Sequence, residues 1–159
     1  MDSMVEIYLN RASNEILAAE ALKRLSENQK DKQNFGLTSN VTFYSSVISH
    51  SYYSIFYSAK AILLTKGIKT EAPNIHKVTL EKFKENFVDN GILDVKLLKI
   101  YKKLIVRADD LLGIFKIEKG KRGDFTYQVI PQANKGPAGE SIQNAVFFVS
   151  NITKVVKRI

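Results

Sequence analysis

The chain has 159 residues, 45% of them hydrophobic, no cysteine, and a formal net charge of +8. That length suits one domain spanning residues 1–159 and burying well over half of the surface its unfolded form exposes, while the lack of cysteine excludes a disulfide framework and every thiolate chemistry. A pI of about 9.6 favours an anionic partner, whether nucleotide, RNA or acidic protein, without choosing among them.

The first residues, Met-Asp-Ser-Met-Val-Glu, hold no basic stretch followed by an apolar one, so no signal peptide is read and the cytoplasm is the expected compartment. A first helix is expected from Ser3, where Ser-Met-Val-Glu6 has capping-box spacing. It runs past Leu25 with Val5, Tyr8, Leu9, Ala12, Ile16, Ala19 and Leu22 on one side, until the polar run 28–34 breaks it. A second begins near Ser39 and carries Val41, Tyr44, Ile48, Tyr52, Ile55, Ala59 and Leu63 at three- and four-residue steps. It ends at Gly67, which suits a left-handed C-terminal cap. The part from Phe43 to Leu64 is long enough to cross a membrane, yet its six serines and four tyrosines point to a buried bundle helix with no membrane role.

After the turn-like Glu71-Ala-Pro-Asn74, a shorter helix places Val78, Leu80, Phe83, Phe87 and Val88 inward and stops at Asn90-Gly91. Asp94 is placed to cap the fourth helix. There Leu97, Leu98, Tyr101, Leu104, Ile105, Ala108, Leu111 and Leu112 fall within roughly 140° of arc, while Lys96, Lys99, Lys103 and Arg107 fall opposite. The last helix follows Gly136-Pro137 and buries Ile142, Ala145, Val146, Val149, Ile152 and Val156. The fold class read from this pattern is all-α, an up-and-down bundle of about five helices with a long basic loop between the last two.

That loop, residues 116–135, carries Lys116, Lys119, Lys121, Arg122 and Lys135 against Glu118 and Asp124, five positives minus two negatives or +3. It is longer than an ordinary helix connection, which makes it the first place to look for function. No metal-ligand spacing, phosphate-cradling glycine loop or dinucleotide fingerprint is present, so no metal or cofactor is expected. Two histidines remain. His50 reads as a core histidine satisfied by a neighbour's hydroxyl, and His76 as a helix-start residue; His50 and Tyr53 are also candidate ligand contacts. In the loop, the Arg122 guanidinium suits a bidentate grip on phosphate, with Lys121 or Arg107 adding charge and Phe125 or Tyr127 a ring for stacking.

The order Arg11, Glu15, Ala18, then Ser51-Tyr52-Tyr53-x-x-Phe56-x-x-Ala59-Lys60-Ala61-x-Leu63-Leu64-x-x-Gly67, then His76, Phe83, Phe87 and Gly91, resembles a HEPN domain. Its nearest likeness is to the small prokaryotic branch described as a nucleotidyltransferase substrate-binding subunit. The resemblance covers nearly the whole chain. It implies a homodimeric helical bundle, often paired with a minimal nucleotidyltransferase in a two-component or toxin–antitoxin system. Toxin members of that superfamily are metal-independent ribonucleases that use an arginine, four to six residues, then a histidine.

This chain departs from that pattern. The positions five to seven before His50 hold Phe43, Tyr44 and Ser45, those before His76 hold Lys69, Thr70 and Glu71, and no histidine follows Arg107 or Arg122. Arg122-Gly-Asp124-Phe-Thr-Tyr127 instead resembles the arginine-and-aspartate-tyrosine variant of the non-toxin branch. A tyrosine with a pKa near 10 is a poor general base at neutral pH. The expectation is a non-catalytic subunit binding a nucleotide or another phosphate-bearing ligand, and the alternative is a diverged metal-independent ribonuclease.

Overall fold

The computed structural model describes residues 2–112 and 134–159. Helix α1 spans Ser3–Glu27, α2 Gln29–Asn34, α3 Tyr44–Leu64, α4 Ile75–Phe83, α5 Val95–Leu112 and α6 Lys135–Arg158, and a π-helical turn, Lys84–Val88, extends α4. The fold is all-α. Helix α3 packs on α1, α6, α5 and α4, so it is the axis of the bundle.

Its composition explains that position. Ser51, Ser54 and Ser58 are fully buried, and each hydroxyl donates to a carbonyl of its own helix: Val47 at 2.8 Å, Ser51 at 2.7 Å and Ile55 at 2.9 Å. These small polar groups are therefore satisfied without help from neighbouring helices, which approach closely along the serines together with Ala59 and Ala61. The larger residues of α3 join the two apolar clusters. One gathers Tyr52, Phe56, Phe83, Phe87, Tyr101 and Phe148 with the surrounding aliphatics; the other, smaller, holds Ala19, Tyr44, Val47, Ile48, Ala138 and Ile142. No helix of the described residues is long and apolar enough to cross a membrane.

Several boundaries differ from the sequence expectation. The side chain that caps α1 is Asp2, accepting from the Met4 amide at 2.9 Å, so Ser3 is already the first helical residue. The run 28–34 does interrupt α1, but as a short helix of its own, capped by Asn28, whose side chain accepts from the Asp31 amide at 2.9 Å. Helix α3 starts at Tyr44 rather than Ser39, because the Phe43 amide is taken by the Ser26 hydroxyl of α1 at 2.7 Å. Gly67 has φ +69° and ends α3 as expected, with its amide on Leu64 and that of Ile68 on Leu63. Val146, expected inside, is 41% exposed.

Candidate functional site

Contacts between Ser26 and Phe43, Glu15 and His50, and Tyr8 and Tyr57 show that α1 and α3 run antiparallel. Along their seam, α1 presents Tyr8, Arg11 and Glu15 at steps of three and four, and α3 presents His50, Tyr53, Tyr57 and Lys60 at steps of three, four and three. Such spacing sets each group on a single helix flank. Arg11 is exposed and the others are partly buried, so the seam is a polar and aromatic edge rather than part of the core.

His50 sits in the middle of it. Its Nδ1 lies 2.5 Å from Oε2 of Glu15, with the two side chains 36% and 25% exposed. The sequence expectation of a core histidine served by a hydroxyl is thus corrected: α3 turns this position toward α1, where a carboxylate is waiting. The hydroxyl-served histidine is His76, second residue of α4, whose Nδ1 is 2.7 Å from the Tyr52 hydroxyl and whose ring packs 4.5 Å from Phe56. Burial lowers the pKa of His76, and the positive charge of Lys60 lowers it further. Burial raises the hydroxyl pKa of Tyr53, with smaller contributions from Tyr57 and Glu15. Tyr53 makes edge contacts to Tyr52, Phe56 and His76 at 5.5, 6.3 and 6.0 Å.

Arg107 is elsewhere. Its side chain, only 13% exposed, turns onto the first turns of α6 and donates to Glu140 at 2.8 Å, Ser141 Oγ at 3.2 Å and the Pro137 carbonyl at 3.4 Å. Lys103 bonds the same carboxylate, and the hydrogen bonds from Lys103 and Arg107 hold Glu140 below the ordinary carboxylate range. Arg107 therefore joins α5 to α6 and is not grouped with His50 or Tyr53, and it is not the solvent-facing cation that its helix face predicts. Lys121, Arg122, Asp124 and Tyr127 lie outside the described residues. Tyr8, Tyr57 and Lys60 were missed as edge residues in the sequence, where Tyr8 counts only as part of an apolar stripe; the signal was its spacing from Arg11 and Glu15.

Chemically, the edge offers cations, phenol hydroxyls, ring faces and one carboxylate-bound imidazole. Among the described residues no three His, Asp or Glu side chains converge as metal ligands. Cations beside ring faces are groups suited to anions and planar rings. The family model for the HEPN domain matches residues 5–159. The chain belongs to the HEPN family.

Among its relatives is "Putative toxin MJ0142" of Methanocaldococcus jannaschii, 42% identical over 60 residues, 38% of this chain and 39% of that protein. "Putative toxin MJ0605" of the same organism is 29% identical over 116 residues, 73% of each chain. UPF0332 protein PH1297 of Pyrococcus horikoshii is 36% identical over 72 residues, 44% of this chain and 46% of that one. The matched part thus spans less than half the length of two of these three relatives. The HEPN match runs through α1, α3 and α4, so the polar edge is built entirely from family elements.

Proposed function

We propose that this HEPN protein is the ligand-binding member of a two-component, toxin–antitoxin type of pair. It works in the cytoplasm as a homodimer, takes a nucleotide or another phosphate-bearing ligand, and serves a minimal nucleotidyltransferase as its substrate-binding subunit without itself breaking a phosphodiester bond. The observation that supports a non-catalytic role is that no arginine stands at the ribonuclease spacing before either histidine. The Nδ1 of His50 is held by Glu15 and that of His76 by Tyr52, each from a different helix. Phosphate is assigned to Arg122, assisted by Lys121, with Asp124 and Tyr127 beside them in sequence.

A diverged ribonuclease is the second reading, and one observation favours it. Glu15 orients the His50 ring through Nδ1 and leaves Nε2 as the nitrogen for a proton transfer, on a side chain 36% exposed. The toxin names of two relatives point the same way.

The test is cleavage of a labelled single-stranded RNA with chelator present, by wild type, Arg122→Ala and His50→Ala, alongside nucleotide binding. No cleavage by any of them is expected, with Arg122→Ala weakening binding by about 1.5–3 kcal/mol at unchanged melting temperature, the worth of a charge-assisted hydrogen bond. Chelator-resistant cleavage that disappears in either variant overturns the non-catalytic role. Co-purification with a neighbouring nucleotidyltransferase tests the partner.

A further inference from the structure

The α1–α3 edge carries hydrogen-bonding capacity that the fold does not use. Tyr8 and Tyr57 lie nearly parallel, ring centres 6.1 Å apart and planes 18° apart, and the Arg11 guanidinium carbon stands 5.6 and 5.7 Å from the two centres. Ring contacts of this kind hold a guanidinium by attraction to its charge and leave its N–H groups unspent. Arg11 has no ion pair and no hydrogen bond among the described residues, and the hydroxyls of Tyr8, Tyr53 and Tyr57 likewise have no hydrogen-bond partner there.

Lys60 adds a second cation. Its Nζ lies 5.0 Å from the Tyr8 ring and 5.7 Å from that of Phe56, and donates to the Thr70 carbonyl at 3.1 Å, which uses one of its three protons. Next to it opens a cavity of about 350 Å³, lined by Tyr8, Lys60, Lys69 and Thr70, a volume within the range of small-molecule sites. Two carboxylates, Asp2 and Glu71, also line this cavity; Asp2 accepts the Met4 amide as the cap of α1 and Glu71 is exposed, and their charges partly offset those of Lys60 and Lys69. A partly exposed tyrosine face, an aromatic-braced arginine with free donors and two lysines at a cavity mouth together suit a planar ring carrying a phosphate.

We infer that this edge is a nucleoside-phosphate site, in which the base lies against Tyr8 and the phosphate is met by Lys60, Lys69 and, one turn along α1, Arg11. The inference rests on the reading that the protein takes a phosphate-bearing ligand, and it adds a recognition surface on the rigid helices to the one assigned to residues 121–127. A free mononucleotide and a nucleotide within a single strand share this chemistry.

Calorimetric titration with AMP, hexaadenylate RNA and inorganic phosphate separates the possibilities, using wild type, Arg11→Ala, Lys60→Met, Tyr8→Leu and Arg122→Ala. Arg11→Ala, at an exposed position, and Lys60→Met, which keeps the apolar stem, should each weaken AMP or hexaadenylate by about tenfold or more; Arg11→Ala should leave the melting temperature unchanged, while Lys60→Met, which also loses the bond to the Thr70 carbonyl, should lower it. Tyr8→Leu should weaken both nucleotide probes by a larger factor than inorganic phosphate, since it removes the stacking face as well as the ring beside Arg11 and Lys60. Much tighter binding of hexaadenylate than of AMP assigns the site to a strand, and equal binding assigns it to a mononucleotide. Wild-type binding that all three edge variants retain, and that only Arg122→Ala loses, overturns the edge site and leaves the loop reading intact. No binding of any probe by wild type removes both. Should Lys60→Met fail to fold, the Arg11→Ala result alone decides.

Discussion

His50 and His76 exchange the environments that their places in the sequence suggest. An imidazole in the middle of a helix apolar on several faces is expected in the core, yet Glu15 of α1 draws His50 to a partly open seam. His76, near a helix start, is instead packed among Tyr52, Tyr53 and Phe56. A consequence follows for pH. Burial, and after it Lys60, lowers the pKa of His76 in the fold below the unfolded value of about 6.5. Just below that value the unfolded chain binds more protons than the folded one, so stability rises with pH through this window and falls on acidification. The melting temperature should therefore be lower at about pH 5.5 than at about pH 7.5, and the difference should shrink in His76→Gln, which cannot titrate. An unchanged pH dependence in the variant would place the effect on another group.

At the scale of elements, what carries a repeating apolar signal or a backbone requirement was legible, and what depends on a partner was not. The apolar steps of α1, α3, α5 and α6 identify those helices, and Gly67 marks the end of α3 because its φ of +69° is one that other residues adopt at a cost. Helix α2 was hidden, since Gln-Lys-Asp-Lys-Gln-Asn has no apolar period; it is held by the Asn28 cap and by buried Lys32, whose Nζ donates to the Ser39 carbonyl at 2.8 Å. The start of α3 was misplaced because the Ser26 hydroxyl that fixes Phe43 lies 17 residues away in the chain. For the site, Arg11, Glu15 and His50 were visible as residues, but their pairing depends on an antiparallel α1–α3 register that no single segment encodes. Two glycines now predict opposite outcomes. Gly67→Ala forces a side chain into the left-handed region and should cost about 1–2 kcal/mol. Gly139→Ala, inside α6, meets only the Lys23 side chain at an ordinary 3.6 Å and should gain about 0.5–1 kcal/mol by limiting the unfolded chain and favouring the helix. Urea unfolding of the two variants measures both signs.

Over the whole molecule the excess charge of +8 is not spread evenly: residues 116–135 hold +3 of it, whereas along the α1–α3 edge the cations Arg11, Lys60 and Lys69 stand beside the carboxylates Asp2, Glu15 and Glu71. Cations that merely keep a protein soluble leave binding insensitive to which of them is removed, whereas cations that meet phosphates release a counterion each. For a single strand, the logarithm of affinity falls by about 0.7 per neutralised phosphate for each logarithmic unit of salt. Contacts by the three edge cations alone predict a slope of about −2 for hexaadenylate, and contacts by Lys121 and Arg122 as well predict about −3.5. Arg11→Ala should flatten the slope by about 0.7 in either case, while Arg122→Ala should do so only if the loop shares the strand. Titration of hexaadenylate across a range of salt concentrations therefore reports how many of these cations act together. A slope near zero would mean that stacking, not charge, holds the ligand, and would return the basic surface to a role in solubility.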